Sequence, residues 1–269
     1  MILYLIRHGQ SANNLMGETV LTDKGEFDEN AYKHYMASRV ADPPLTEIGQ
    51  RQAEQLADFL REARPKHRPI HDDPPEAELR GTDVVNRLGI SRIYCSPMLR
   101  TLQTAQPTAS ALGVNPEVWI DLHEHGGVFD NSGPDGAVVG HPGLSRSEMT
   151  ALFPGYAIPE ARISEEGWWF GDEEDRPDCD ARAIRVSARL RAMAREMKDE
   201  RIALVMHGTF MDSLVKAILG RLPGIDFHIS HYNTGITRID YVLSWEDKTP
   251  LLRVRYTNRV DHLTPDLIT

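Results

Sequence analysis

Arg7-His8-Gly9 sets a guanidinium beside an imidazole just ahead of a glycine, a pairing suited to chemistry on an anionic electrophile. The imidazole can attack through a ring nitrogen while the arginine holds the negative oxygens of a phosphoryl group. Three further stretches carry residues of complementary type. Ser96-Pro97 leads to Arg100, Leu122-His123 leads to Glu124, and Val205-Met206 leads to His207-Gly208. Two imidazoles, two guanidiniums and one carboxyl suffice for phosphoryl transfer: a nucleophile, charge stabilisers and a proton donor. Each group alone also has an ordinary structural explanation: a helix-surface arginine, a loop carboxylate, a core histidine bonded to backbone. Their joint meaning depends on whether the chain brings them together.

The elements that must do so can be read from the pattern. Ile2-Leu3-Tyr4-Leu5-Ile6 is an apolar run without a polar break and reads as a buried strand ending at Arg7-His8. Arg92 to Ser96, Val118 to Leu122 and Arg201 to Met206 read the same way, the second of these ending at His123-Glu124. In open α/β sheets ligands bind beyond the carboxyl ends of the strands. Four such ends in one parallel sheet therefore present every chemical group from a single edge.

Helical patterns lie between the strands. One opens at Leu45-Thr46 and runs to about Arg64, with Ile48, Ala53, Leu56, Phe59 and Leu60 as its apolar stripe. Others span Met98 to Leu112, closed by Gly113, and Phe210 to Leu219. A fourth starts near Asp180 with Ile184, Leu190, Met193 and Met197 on one face. Ala31 to Val40 and Ser145 to Phe153 suggest short helices, and Thr234 to Leu243 and Leu251 to Tyr256 two late strands. The last ten residues carry no clear pattern.

The alternation predicts an α/β protein: a three-layer α/β/α architecture, with a mainly parallel central sheet, helices on both faces and an inserted loop or lid region. One domain over residues 1–269 accommodates it, with insertions at about 15–43, 65–87 and 126–178. The second of these is a proline-rich stretch expected to be an exposed loop. In the third, Trp168-Trp169 are expected to anchor the loop by burial. Arg146, Arg162 and Arg176 can read a second anionic group on a substrate, although balancing the acids beside them is the favoured expectation.

Composition narrows the partners. Hydrophobic residues at 41% and charged residues at 26% are ordinary for a soluble globular chain. The formal net charge of -10 argues against nucleic acid or an anionic membrane, so local arginines must bind any anion against an unfavourable overall field. Cys95 and Cys179 provide neither a disulfide framework nor metal-ligand spacing, Cys95 reading as a buried small hydrophobe. With no leader or membrane-spanning run, a reducing, cytoplasmic location is expected. His123-x-His125, His141 and His228-x-x-His231 are ligand-capable but lie in different loops, and no metal or other cofactor is expected. The sequence specifies no oligomeric state.

Five stretches occur together and in order: Leu5-Ile6-Arg7-His8-Gly9-Gln10-Ser11 with Asn14, Pro44-Leu45-Thr46-Glu47-Ile48-Gly49-Gln50-Arg51-Gln52-Ala53, Ser96-Pro97-Met98-Leu99-Arg100-Thr101-Leu102-Gln103-Thr104-Ala105, Leu122-His123-Glu124 and Val205-Met206-His207-Gly208. Asn233-Thr234-Gly235-Ile236-Thr237 adds a sixth, leading into a late strand. In this set the chain resembles the histidine phosphatase superfamily, with its phosphoglycerate mutase-like fold. The resemblance implies His8 as the nucleophile that carries a phosphohistidine, and Arg7, Arg100 and His207 around the phosphoryl oxygens. It implies Asn14 and Gly208 as further phosphate contacts and Glu124 as the general acid. The implied activity is metal-independent hydrolysis of a small phosphorylated metabolite. The alternatives are bisphosphoglycerate-dependent mutase-type transfer and a weakly catalytic regulatory role. His125-Gly126-Gly127-Val128-Phe129 differs from the segment typical of the glycolytic mutases. Thr209 and Asp212 stand where a glycine and a basic residue are commoner, which favours hydrolysis over the mutase reaction.

Overall fold

The computed structural model describes residues 1–22, 25–62, 88–221, 226–243 and 250–269. The expectation for the proline-rich stretch at 65–87 thus lies outside the described residues. The strands are β1 (Ile2–Arg7), β2 (Arg92–Cys95), β3 (Pro116–Val118), β4 (Phe129–Asp130), β5 (Val139–Gly140), β6 (Arg201–Met206), β7 (Ile236–Leu243) and β8 (Pro250–Arg259). The helices are α1 (Ala12–Gly17), α2 (Glu29–Ser38), α3 (Glu47–Glu62), α4 (Leu99–Leu112), α5 (Arg146–Leu152), α6 (Arg176–Glu196) and α7 (Gly208–Ile218).

Six strands form the central sheet in the order β3-β2-β6-β1-β7-β8. The first four run parallel, and β7 and β8 are added antiparallel. The result is the three-layer α/β/α arrangement expected from the alternation. β1 lies in the middle, so its side chains alternate between two cores. Leu3 and Leu5 join Leu190 of α6 and Phe210 and Leu214 of α7. Tyr4 and Ile6 join Leu56 and Leu60 of α3 and Leu102 of α4 on the other face. All four β1 side chains are fully buried. Each stabilises the fold by about 1.5–3 kcal/mol, so the strand bearing the Arg7-His8 pair is held from both sides.

Three readings are corrected. The third strand is Pro116–Val118, not Val118 to Leu122. After Trp119 the chain leaves the sheet in a 3-10 turn at Ile120–Leu122, closed by Leu122 N–H to Trp119 O and His123 N–H to Ile120 O. Ile120-Asp121-Leu122 alternates apolar and polar as a strand does, directly after the apolar Val118-Trp119, which explains the misreading. α6 begins at Arg176, capped by Asp175, rather than near Asp180. Its buried face is Ala183, Val186, Leu190 and Met193, while Ile184 is exposed. The last residues, on which the sequence carries no clear pattern, are packed: Leu267 is fully buried, and its carbonyl accepts from Gln52 of α3. Finally, Thr234 lies outside β7, with a left-handed φ of 57°.

Trp168 is buried in the core and Trp169 packs against it, so the pair anchors its segment. Among the described residues no helix is long and apolar enough to cross a membrane.

Candidate active site

Adjacent parallel strands bring the two histidines together. Arg7 of β1 is in register with Met206 of β6, so His8 and His207 follow at neighbouring strand ends. Their ring centroids lie 5.1 Å apart. β2 is the next strand over, with Cys95 beside Val205. It ends at Ser96, whose Oγ is 2.8 Å from His207 Nε2. The chain then turns through Pro97 into α4, and Arg100 in the first turn of that helix reaches back to the end of β1.

His8 is buried, with Nδ1 2.6 Å from the Gly9 carbonyl oxygen. A carbonyl only accepts, so Nδ1 carries the proton and Nε2 the lone pair. Arg100 Nε lies 3.1 Å from that Nε2. Burial, then the charges of Arg100 and Arg7, hold the His8 pKa well below its ordinary value, against the weaker opposing effect of the Gly9 carbonyl. His207 is likewise pushed well below, first by burial and then by Arg100 and His8. Both rings are therefore neutral near pH 7, the form a nucleophilic imidazole needs.

Arg7 donates through Nη1 to the His231 carbonyl at 2.5 Å, while its buried Nε and the Nδ1 of His207 have no partner among the described residues. Gly208 packs against this arginine: a Cβ there would sit 3.3 Å from Arg7 Nε. Asn14 is in the first turn of α1, where its Oδ1 accepts from Ser11 N and Oγ and from Asn233 Nδ2. Its own amide nitrogen makes no hydrogen bond to the described residues, and Asn14 lines the cavity.

Glu124 arrives by the 3-10 turn and not directly from a strand. Oε1 accepts from Phe210 N at 2.8 Å and His125 N at 2.9 Å, and Oε2 from Thr209 N at 3.2 Å. The carboxylate thus sits at the N-terminal end of α7, where unpaired N–H groups and the helix dipole favour an anion. The turn behind it rests on Arg182 of α6. That buried guanidinium donates through Nη1 to the carbonyls of Asp121 and His123, and forms a bidentate pair with Glu174 at 2.9 and 2.6 Å. Burial, the largest single influence, raises the Glu174 carboxyl, but Arg182 and the His123 imidazole together hold it down at about 2.

These groups face one cavity of about 610 Å³, lined by Arg7, His8, Asn14, Arg100, Glu124 and Gly208. His207 stands behind His8 against Ser96. Every expected site residue therefore gathers at one end of the sheet. Of the three arginines in the third insertion, Arg146 pairs with Glu160 and Arg162 with Asp121. Arg176 lines the cavity but is paired with Asp180 and Asp212. Of the five ligand-capable histidines, His123 and His231 bond backbone carbonyls and His141 and His228 face Asp130 and Asp212, while His125 lines the cavity with its Nε2 unpartnered among the described residues. Among the described residues no three His, Cys, Asp or Glu side chains converge as metal ligands.

Several residues near the site escaped the sequence reading. Asp42 is partly buried, lies 3.7 Å from Arg100 and accepts from Leu99 N through both oxygens. Burial lifts its pKa to about 6, against the opposing effects of Arg100 and the Leu99 amide. Gln52 Oε1 accepts from Gln10 N, Thr104 Oγ1 from Gly9 N, and Asn233 donates to the His8 carbonyl. Arg39 lines the cavity from the end of α2. Gln52, Thr104 and Asn233 lie inside the resembling stretches, the signal that could have found them. Asp42, Arg39 and Arg182 lie outside, with none.

The family model of the histidine phosphatase superfamily (branch 1) matches residues 3–70 and 77–247. The chain belongs to the histidine phosphatase superfamily. A relative named as a probable phosphoglycerate mutase, GpmB, of Enterobacter sp. (strain 638) is 26% identical over 234 residues, covering 84% of this chain and 86% of that protein. Among solved structures, a mycobacterial glucosyl-3-phosphoglycerate phosphatase complexed with VO3 aligns at a TM-score of 0.50 with 20% identity, covering 96% of this chain and 99% of that one. The phosphoserine phosphatase of Entamoeba histolytica, in complex with 3-phosphoglyceric acid, aligns at 0.50 with 18% identity, covering 98% and 99%. These structures share the superfamily fold with this member.

Proposed function

We propose that this superfamily member is a metal-independent phosphomonoesterase that works through a phosphohistidine on His8. The observation carrying the reading is the unprotonated Nε2 of a buried, neutral His8, bonded only by Arg100 Nε, with nitrogens of Arg7 and His207 close by that have no partner among the described residues. Buried donors without partners are uncommon and call for an explanation. A phosphoryl group at this point would satisfy them.

In the first half-reaction Nε2 attacks phosphorus and forms the N–P bond as the P–O bond to the alcohol breaks. Arg100 Nε–H must swing from the imidazole to a phosphoryl oxygen for this to occur. Glu124 gives its proton to the departing alkoxide. In the second half-reaction the same carboxylate takes a proton from water, whose oxygen attacks phosphorus. The N–P bond then breaks, restoring His8 and releasing phosphate. Arg7, Arg100, His207, Asn14 and the Gly208 backbone hold the oxygens on which charge accumulates. Such preorganised donors are worth roughly 2.7–4 kcal/mol each, and fork geometry makes lysine a poor substitute at Arg7 or Arg100.

The partner in this reading is a small phosphorylated molecule rather than nucleic acid or membrane, in keeping with the net charge of -10. Two buried free thiols, Cys95 and Cys179, agree with a reducing, cytoplasmic setting. The likeness to GpmB favours a second reading, mutase-type transfer in which the phosphoryl group returns to a reoriented product.

A panel of phosphorylated metabolites, run in 18O-labelled water with wild type and His8→Ala, tests both readings. Hydrolysis predicts phosphate carrying one solvent oxygen per turnover, a trapped phosphoryl group on His8, and loss of both in the variant. Transfer to a second alcohol without solvent oxygen would establish the mutase reading instead. Phosphate release that survives His8→Ala would rule out both.

A further inference from the structure

We propose that Arg39 reads a second anionic group on the substrate, so that the molecule taken is a phosphomonoester bearing a carboxylate or another phosphate on its alcohol side. The substrate assignment rests on the phosphatase reading above. The Arg39 contact itself is a matter of binding and can be tested apart from turnover.

Arg39 is half-buried at the C-terminal end of α2, within the first insertion, and lines the same cavity as His8. Its guanidinium carbon lies 4.1 Å from the centre of the Phe129 ring, which comes from the third insertion. Nε donates to the Phe129 carbonyl at 3.4 Å and Nη1 to the Tyr35 hydroxyl at 3.1 Å. These contacts orient the guanidinium without neutralising it. Nη2 makes no hydrogen bond to the described residues, leaving an edge of the planar fork available. No carboxylate among the described residues comes within 4 Å of it.

The other arginines that the sequence offered for this task are spent on protein carboxylates. Arg146 and Arg162 are paired away from the cavity, and Arg176 carries Asp180 at 3.2 Å and Asp212 at 3.6 Å. In a chain with 40 acidic residues against 30 basic ones, a clamped arginine facing a cavity without an acid partner is conspicuous. Its charge is felt at the reaction centre. Burial chiefly lowers the Arg100 pKa, and Arg39 and Arg7 lower it further, while Asp42 and Glu124 oppose them. Arg7, Arg100 and Glu124 face the phosphoryl position, and Arg39 adds to the same cavity a positive charge that no carboxylate of the described residues pairs. A planar fork with a free edge matches carboxylate and phosphate geometry. The cavity, at about 610 Å³, has room for a molecule that reaches from His8 to Arg39.

Two matched substrate pairs test this. O-phosphoserine and O-phosphoethanolamine differ by a carboxylate, and fructose 1,6-bisphosphate and fructose 6-phosphate by a phosphate. In the wild type, kcat/KM should favour the more charged member of at least one pair, and the pair that responds identifies the group. Arg39→Gln should reduce that ratio on the order of ten- to a hundredfold, chiefly through KM, with Arg39→Lys intermediate. Calorimetric titration of the same four compounds onto His8→Ala and His8→Ala/Arg39→Gln gives a readout that needs no turnover. Absence of phosphate release with an Arg39-dependent binding preference would sink the phosphatase reading and keep this contact. A wild type that prefers neither charged member, or a ratio that Arg39→Gln leaves unmoved, overturns the proposal.

Discussion

At the level of single residues, the site depends on which nitrogen of His8 holds the proton. The Gly9 carbonyl decides it, leaving on Nε2 a lone pair that can attack once Arg100 Nε turns from it to phosphate, and burial keeps the ring uncharged. Glu124 is the residue whose role is most sharply testable. Its oxygens are held by three backbone N–H groups, two of them in the first turn of α7. Gln can keep part of that anchoring but cannot deliver a proton. Glu124→Gln should lower kcat/KM by about 10²–10⁴ for alkyl phosphates, whose alkoxides need protonation. The loss should be much smaller for p-nitrophenyl phosphate, whose phenolate leaves unaided, because kcat/KM reports the first half-reaction. Equal losses on both substrates would count against Glu124 as the acid and for a purely electrostatic role.

Among the elements, the demanding step is holding a turn, not building a strand. α3 approaches the Gly9-Gln10 backbone so closely that a Cβ on Gly49 would lie 2.1 Å from the Gln10 carbonyl oxygen, so glycine is required there. On the other side, Gly127 has a φ of 75° and lies under Trp169, which lets the chain double back after Glu124. The 3-10 turn carrying Glu124 then rests on Arg182. Removing this guanidinium strands the carboxylate of Glu174, which is only 9% exposed at its side chain, and releases two carbonyls. Arg182→Met should therefore cost roughly 3–5 kcal/mol, lowering Tm by about 2–4 °C for each kcal/mol. Arg182→Met/Glu174→Gln should recover part of that loss, because the stranded charge is gone. Calorimetric melting of both variants checks this, and a single variant as stable as the wild type would show the strut to be dispensable.

For the molecule as a whole, the buried histidines make stability depend on pH. His8 and His207 lie well below the ordinary pKa, and burial lowers His231 and His262 to about 4. In the unfolded chain each takes a proton near 6.5 while the folded form does not. Stability is thus fully present above about pH 6.5 and is lost as pH falls toward the folded values, at roughly 1.4 kcal/mol per pH unit for each histidine. Asp42 opposes this between about 6 and its unfolded value of 3.8, since its folded pKa is raised. One carboxyl does not offset four imidazoles. Scanning calorimetry should show Tm falling steadily from pH 7 to 4.5, and a flat or rising Tm over that range would contradict the account.

What the amino-acid sequence determined by itself is whatever a contiguous pattern can encode. The apolar runs ending at His8 and His207 placed both residues beyond strand ends, and alternation with helices implied a shared edge. Ser96 to Ala105 likewise carried Arg100 in a recognisable helix start. Glu124 was identifiable by resemblance, but its delivery was misjudged, because Ile120-Asp121-Leu122, with a strand's alternation, folds as a turn at the edge of the sheet. Arg39, Asp42 and Arg182 were beyond reach for a different reason. Asp42 meets Arg100 across 58 positions and Arg182 meets His123 across 59, and no local period specifies such encounters. Only the packed molecule decides which charge faces an acid and which is left facing the cavity, since that depends on how separate elements exclude water together.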